Sequence, residues 1–371
     1  MALPSATADG ARVSPDPTGE AVAKLRCRNI WKIYGQRPDK ALATALGASE
    51  PPLTLKRQLE ETGHFLALAD VSFDVRQGEI FVVMGLSGSG KSTLVRCLSR
   101  LVEPTGGEVW LGGENLLAAS ERRMVEVRRK VMGMVFQNFG LLPHLNVLDN
   151  VAFPLRMQGM PPADRTAKAR DMIELVGLRG RENSMPLELS GGQQQRVGIA
   201  RSLADNPELW FLDEPFSALD PLIRRQMQDE FLRLQQLLQK TIVFITHDIQ
   251  EAFRLADRIA IMREGRIIQI GTPADILLTP VDAYVASFTE EVSLAKVVTA
   301  GSVMAKLPGN WDASRGHEVD AATPIEMLLP HSLAGTQTFV ITREGEGPVG
   351  LLTSEIIAKV LANDTARRGA M

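Results

Sequence analysis

The sequence predicts an α/β fold with a parallel sheet at its centre and a smaller α+β unit after it. Three observations carry that expectation. The apolar strand IFVVM, Ile80 to Met84, runs directly into the glycine-rich loop GLSGSGKST, Gly85 to Thr93, and a helix follows from Ser92 to Leu101. Two further buried-type strands, LWFL at Leu209 to Leu212 and TIVFIT at Thr241 to Thr246, flank an amphipathic helix from Leu222 to Gln239. Strand, helix, strand with short connections means parallel pairing. After Phe288 the pattern changes to short strands and helices divided by turns.

Composition sets the outer limits. A chain of 371 residues fits one large domain with an appendage, and 44% apolar against 23% charged residues places it among ordinary globular proteins. A formal net charge of −3 gives no electrostatic reason to expect nucleic acid as a partner. Cys27 and Cys97 are far apart and form no Cys-x-x-Cys pair, so neither a zinc site nor a disulfide framework is indicated, and a reducing compartment fits best. No apolar run approaches the roughly 20 residues of a membrane-spanning helix, so a membrane role would be peripheral. Residues 1–23 lack the basic start and apolar stretch of a secretory signal and read as a flexible leader.

The elements follow in order. LRCRNIWKIYG from Leu25 reads as a strand, interrupted over residues 36–64 by two candidate helices around Asp39 to Leu46 and Leu53 to Glu61. FLALADVSFDV resumes the strand pattern and turns at Gln77-Gly78. MVFQ, Met134 to Gln137, is a short strand ending in a polar residue. ERRMVEVRRK, Glu121 to Lys130, interleaves its charges and reads as a solvated helix face. Met124, Met132, Met134, Met157 and Met160 are read as packing residues. Residues 140–190 turn helical, with breaks at Pro161-Pro162 and Gly177, and RIAIM and GRIIQIG close as a hairpin around Glu264-Gly265. In the last segment a helix at Pro324 to Leu333, strands at Thr338 to Thr342 and Val349 to Leu352, and a helix from Ser354 to Leu361 make one α+β unit over residues 295–371.

Phosphate chemistry is written in the loop. Gly85, Gly88 and Gly90 let the backbone adopt conformations and approaches that a Cβ would block, leaving N–H groups of Leu86, Ser87 and Ser89 to surround phosphate oxygens. Lys91 can reach the β and γ phosphates, Ser92 is placed to ligate Mg2+, and Thr93 to support the α phosphate. Asp213 and Glu214 close an apolar strand, where parallel sheets present ligands. Asp213 is expected to hold the metal and Glu214 to orient and deprotonate water for in-line phosphoryl transfer. Ser190, Gly191, Gly192 and Gln193 open a helix, which makes their N–H groups a second phosphate site.

With LSGGQQQR at Leu189 to Arg196, LWFLDEP at Leu209 to Pro215 and His247, the loop resembles the ATP-binding cassette (ABC) ATPases over residues 24–288. The resemblance implies an ABC-type P-loop ATPase core with an antiparallel β part and a helical subdomain, using ATP and Mg2+. It implies that His247 contacts the γ phosphate and that Gln137 senses metal and water. Lys91, Glu214 and His247 then form the catalytic set, with Ser92, Gln137 and Asp213 about the metal. Tyr34 occupies the position of an adenine-stacking ring, with Trp31 and Phe65 as competitors. The site at Ser190 to Gln193 would complete the pocket of a second copy packed head to tail, with SALD, Ser217 to Asp220, along the contact.

Within that family the stretches GLSGSGKSTLVRCLSRLVEPTGG, VMGMVFQNFGLLPHLNVLDNVAFPL, FSALDPLIRRQMQDE and TIVFITHDIQEAFRLADRIAIM resemble the ATP-binding subunit of glycine betaine/proline-type quaternary-amine importers. The helical insertion and a single C-terminal CBS-like unit, suggested by VVTAGSVM and TFVITREGEGPVGLLT, resemble it too. This implies transmembrane permease subunits and a periplasmic or surface substrate-binding protein as partners, and a peripheral place on the cytoplasmic face of the inner membrane. A permease helix would dock near Asn138 to His144. The C-terminal unit would gate transport by ionic strength or by a nucleotide. An amino-acid or methionine importer subunit is the alternative, and a soluble ABC ATPase a more distant one.

Overall fold

A computed structural model describes residues 23–47, 52–137, 139–290, 292–308, 316–343 and 345–369. Of the expected leader over residues 1–23, residues 1–22 lie outside the described residues, as does Asn138, and Ala23 already belongs to a strand. Strand β1 (Ala23–Tyr34) buries Leu25, Cys27, Ile30 and Ile33. Register shifts where Asn29 takes a φ of 47°, a bulge that re-aims the alternation between Cys27 and Ile30. Helices α1 (Pro38–Gly47) and α2 (Pro52–Glu61) follow, and Leu42, Leu55 and Leu59 pack on Trp31, Ile33 and Leu66. The inserted helices thus cover one end of the sheet through a small apolar core of their own. Strand β2 (Phe65–Arg76) returns antiparallel to β1.

Strand β3 (Ile80–Met84) is buried along its whole length, as a strand covered on both faces must be. Helix α3 (Lys91–Leu98) stops three residues short of the expected Leu101, and Arg100 turns to a φ of 52°. Strands β4 (Gly106–Leu111) and β5 (Glu114–Asn115) complete an antiparallel sheet ordered β2-β1-β4-β5. Helix α4 (Glu121–Lys130), N-capped by Ser120, presents its charges as an exposed face and buries Met124 and Val127 on the opposite side. Of the five methionines, Met124 and Met132 are buried, whereas Met157 is exposed and does not pack as expected.

Strand β6 (Met132–Val135) ends before Phe136 and Gln137. Helices α5 (Val147–Met157), α6 (Pro162–Leu175) and α7 (Gly191–Leu203) pack on one another. Strand β7 (Leu209–Asp213), helix α8 (Pro221–Leu238), strand β8 (Thr241–Thr246), helix α9 (Ile249–Leu255), and the hairpin β9 (Arg258–Arg263) and β10 (Arg266–Gly271) complete the second sheet. Its order is β10-β9-β3-β8-β7-β6, parallel except for β10.

Four short helices, α10 (Pro273–Leu278), α11 (Ala283–Thr289), α12 (Leu294–Val297) and α13 (Ala300–Val303), lead out of this core. The last unit contains β11 (Ala305–Lys306), β12 (His317–Asp320), α14 (Ile325–Leu333), β13 (Thr338–Arg343), β14 (Gly347–Thr353) and α15 (Ser354–Gly369). The sheet runs β11-β14-β13-β12, and β12 pairs parallel with β13 across α14. Packing does not pause between the two parts. Ile276, Val285 and Phe288 share one apolar cluster with Val292, Leu294, Val298, Ile325 and Leu352. Helix α12 touches α10 on one side and α14 and α15 on the other.

Candidate functional site

Adjacent parallel strands deliver the site. In the order β3-β8-β7-β6 their C-terminal ends lead to the loop at Gly85, to His247, to Asp213 and Glu214, and towards Gln137. The parallel arrangement alone therefore brings together four segments spread over 160 residues of sequence, in the crevice where open α/β sheets hold ligands.

The loop is held from outside as well as by its own sequence. Gly90 has a φ of 101°, and a Cβ there would come within 2.7 Å of the Ala67 carbonyl. At Gly85 a Cβ would meet the Met262 carbonyl at 2.3 Å. At Gly88 it would meet nothing within 4 Å, so the loop closes on its scaffold side and opens at its centre. The hairpin turn between β9 and β10 clamps it: Gly265 N–H donates to Ser89 O at 3.0 Å, and Ala69 N–H to Gly265 O at 2.9 Å. Lys56 of α2 pairs with Glu264 in the same turn at 3.2 Å, so the insertion braces the clamp. Leu86, Ser87 and Gly88 are exposed, whereas Ser89 is buried with no partner for its Oγ among the described residues.

Lys91 is buried, and its ammonium donates to Gly85 O at 2.9 Å and Leu86 O at 3.1 Å. Burial pulls its pKa down, opposed by the Glu214 and Asp213 carboxylates. Ser92 Oγ donates to Asp213 Oδ1 at 3.0 Å. Two oxygens bound side by side on one octahedral Mg2+ stand about 2.9 Å apart, so this pair fits a shared ion. Burial pushes the Asp213 carboxyl upward, with the Ser92 hydrogen bond acting against it. A cation there would restore the charged form. Thr93 continues the first turn of α3, half-buried.

Glu214 is the point of convergence. Its Oε2 accepts from Gln137 Nε2 at 3.2 Å and lies 2.9 Å from His247 Nδ1. The backbone at Glu214 is left-handed, with a φ of 46°, held by Glu214 N–H to Ile245 O at 3.0 Å and Ser217 Oγ to Glu214 O at 3.0 Å. A carboxylate residue in that conformation is an uncommon, imposed geometry. It turns the side chain out of the strand's alternation and between two neighbouring segments. Gln137 is brought to Glu214, with no hydrogen bond to Ser92 or Asp213 among the described residues.

Other expected residues stand apart. Ser190 caps α7 and forms a capping box with Gln193. Gly191 and Gly192 face Leu219 and Ile223, and no hydrogen bond ties residues 190–193 to residues 85–93 among the described residues. Tyr34 and Phe65 are both exposed, with ring centroids 6.4 Å apart, while Trp31 is buried under the insertion and is removed as a stacking competitor. Residues without a motif also matter. Arg201 of α7 donates to Gly140 O at 2.7 Å and Phe139 O at 3.3 Å, tying the segment after Gln137 to the helix that Ser190 caps. Fully buried Asn150 accepts from Leu142 N–H at 2.9 Å and donates towards Leu142 O and Leu145 O, fixing the loop that contains His144. A lone amide inside the apolar run VLDNVAF was the available signal.

Comparison with known proteins places the chain. A model of the ABC transporter family matches residues 68–217. A trimethylamine N-oxide transport system ATP-binding protein of Ruegeria pomeroyi is 56% identical over 304 residues, spanning 82% of this chain and 87% of that protein. The chain belongs to the ABC transporter ATP-binding proteins. A second trimethylamine N-oxide system protein, from Pelagibacter ubique, is 49% identical to this ABC subunit over 341 residues, spanning 92% of it and 98% of the relative. A glycine betaine/carnitine transport ATP-binding protein of Listeria monocytogenes is 48% identical over 341 residues, spanning 92% and 83%. Among solved structures, the dimeric cassette MJ0796 bound to ADP and Pi superposes with a TM-score of 0.56 at 31% identity, over 67% of this chain and 98% of that one. The ABC subunit binds and hydrolyses ATP. None of its described helices is long and apolar enough to cross a membrane.

Proposed function

We propose that the chain is the ATPase of an importer for quaternary-amine or amine-oxide osmolytes, of the trimethylamine N-oxide and glycine betaine kind. The observation that carries the substrate class is the 49% identity over 341 residues with a trimethylamine N-oxide system subunit, continuing beyond the cassette through most of the C-terminal unit. It weighs against an amino-acid or methionine importer and against a soluble ABC ATPase.

In this reading ATP lies in the loop at residues 85–93, with its phosphates on the loop N–H groups and Lys91 and its adenine against Tyr34. Ser92, Asp213 and Gln137 would hold Mg2+, which supplies charge neutralisation at the phosphates. Glu214 accepts the proton of the attacking water, which Gln137 and His247 position by fixing the same carboxylate. His247 then contacts the γ phosphate. Two copies pack head to tail, so that Ser190 to Gln193 of each meets the nucleotide of the other, with Ser217 to Asp220 along the contact. A permease helix docks by residues 139–144, a substrate-binding protein delivers the osmolyte, and the subunit sits on the cytoplasmic face of the inner membrane.

Reconstitution with the cognate membrane subunits and binding protein in proteoliposomes tests this. ATP-dependent uptake of labelled trimethylamine N-oxide or glycine betaine is expected, lost with Glu214→Gln. Uptake of methionine or a polar amino acid, and of neither osmolyte, would transfer the chain to the alternative.

A further inference from the structure

A cavity of about 730 Å3 opens between the ATPase core and the C-terminal unit, within the size range of small-molecule sites. Its walls come from α8, α9, α12 and α14. Arg224, Arg225 and Arg254 line the core side, and Lys296 faces them from α12. The acids are Asp248 and Glu326. Arg224 pairs with Asp248 at 3.0 Å, and Arg254 pairs with Asp229 outside the lining. Arg225 and Lys296 have no ion pair or side-chain hydrogen bond among the described residues. Two exposed cations with no ion pair among the described residues therefore stand on different walls of one cavity that also holds the Glu326 carboxylate, and Arg224 adds a buried Nε without an acceptor among those residues. Phe253, Val292 and Val297 give an apolar strip beside them.

We propose that this cavity is a regulatory site for a phosphate-bearing anion. A monocarboxylate offers two oxygens in one plane and one charge, enough for a single wall. A phosphoryl group carries a charge near −2 and three acceptor oxygens, so it can engage Arg225 on α8 and Lys296 on α12 together, and arginine's fork suits it. Binding draws the two units together. It also reaches the chemistry: Arg224 holds Asp248, the residue after His247, and donates to Leu219 O at 3.1 Å in the SALD segment. An anion competing for Arg224 loosens both.

The inference rests on the proposed ATPase only for its regulatory meaning; binding is read separately. The full chain is saturated with ADP and Mg2+, which fills the loop at residues 85–93, and its melting temperature is followed against phenyl phosphate, with benzoate as the carboxylate control and ionic strength held constant. A saturable rise with phenyl phosphate is expected, weaker with benzoate, and its midpoint moves at least tenfold higher in the Arg225→Glu/Lys296→Glu variant. The rise caused by ADP itself tests the nucleotide reading and should be equal in both proteins. Should the charge-reversed variant lose the ADP response, Arg225→Gln/Lys296→Gln replaces it. Cosedimentation with phosphatidylglycerol vesicles, compared with phosphatidylcholine, separates the sources: loss on substitution assigns the phosphate to a lipid headgroup, and a phenyl phosphate response without cosedimentation assigns it to a soluble anion. Equal midpoints and equal cosedimentation in wild type and variant overturn the proposal, as does a benzoate response equal to that of phenyl phosphate.

Discussion

Glu214 and His247 meet at 2.9 Å, Oε2 to Nδ1, although they leave different strands, and Gln137 donates to the same oxygen at 3.2 Å. The carboxylate is therefore oriented from both sides before any water is engaged. Glu214→Gln keeps the shape and removes the proton acceptor. Turnover should fall at least about 100-fold, with ATP affinity within a few-fold of wild type. Phosphate release paired with a fluorescent-nucleotide titration checks it, and near-normal hydrolysis would remove Glu214 as the base.

The hairpin clamp should be as sensitive as the loop it holds. Gly265 has a φ of 78°, and a Cβ there would come within 2.7 Å of the Ala67 carbonyl. Gly265→Ala strains the turn and displaces its contact with Ser89, at a cost of about 1–3 kcal/mol. Lower melting temperature and several-fold weaker ATP binding should appear together. A variant that melts lower yet binds ATP normally would show that the clamp supports folding alone.

Asn150 holds a loop that has little apolar packing of its own. Asn150→Ala leaves Leu142 N–H and Leu145 O unpaired in a half-buried position, while Leu142 O and Asn146 O keep the backbone N–H groups of Leu145 and Asn150, costing about 1–3 kcal/mol. Urea denaturation should record the loss, and hydrogen exchange should rise over residues 142–146. Unchanged exchange there would assign the amide a different task.

Glu251 supplies a pH dependence. Burial pushes its carboxyl from 4.5 up to about 7, against hydrogen bonds from Thr246 and Gln228. A folded-state pKa above the unfolded one means that the folded chain binds the extra proton, so stability declines as pH rises from about 4.5 to about 7 and levels off above. Glu251→Gln keeps an acceptor for Gln228 Nε2, which donates to Glu251 Oε1 at 3.1 Å. The variant should be more stable above pH 7, by up to about 3 kcal/mol, and flatter across the window. Parallel pH profiles of wild type and variant would refute the shift.

Much of this molecule is legible in the sequence because its strongest signals are local. The strands Ile80–Met84, Leu209–Asp213 and Thr241–Thr246 are apolar throughout, and each is followed by its own chemistry. Strands Gly106–Leu111 and His317–Asp320 escape because glycines or exposed polar residues dilute their alternation, and only pairing with distant partners makes them strands. The site divides likewise. Motif residues announce themselves, but the clamp at Gly265, the tie from Arg201 and the left-handed turn at Glu214 depend on contacts across tens to hundreds of residues. A helix boundary at Leu98 rather than Leu101 reflects a turn at Arg100, whose side chain donates to Leu116 O and Ala119 O.

The unbroken apolar cluster from Phe288 to Leu294 and onward makes the tail an inner wall of the engine rather than an accessory bolted to it. Severing the chain after Phe288 would bare Ile276 and Val285 to water and invite aggregation, so a truncated protein reports the wound as much as the missing part. Charge reversal at single surface positions is the cleaner scalpel. The same continuity couples the two parts by volume: a larger side chain on one face of the cluster calls for a smaller one on the other.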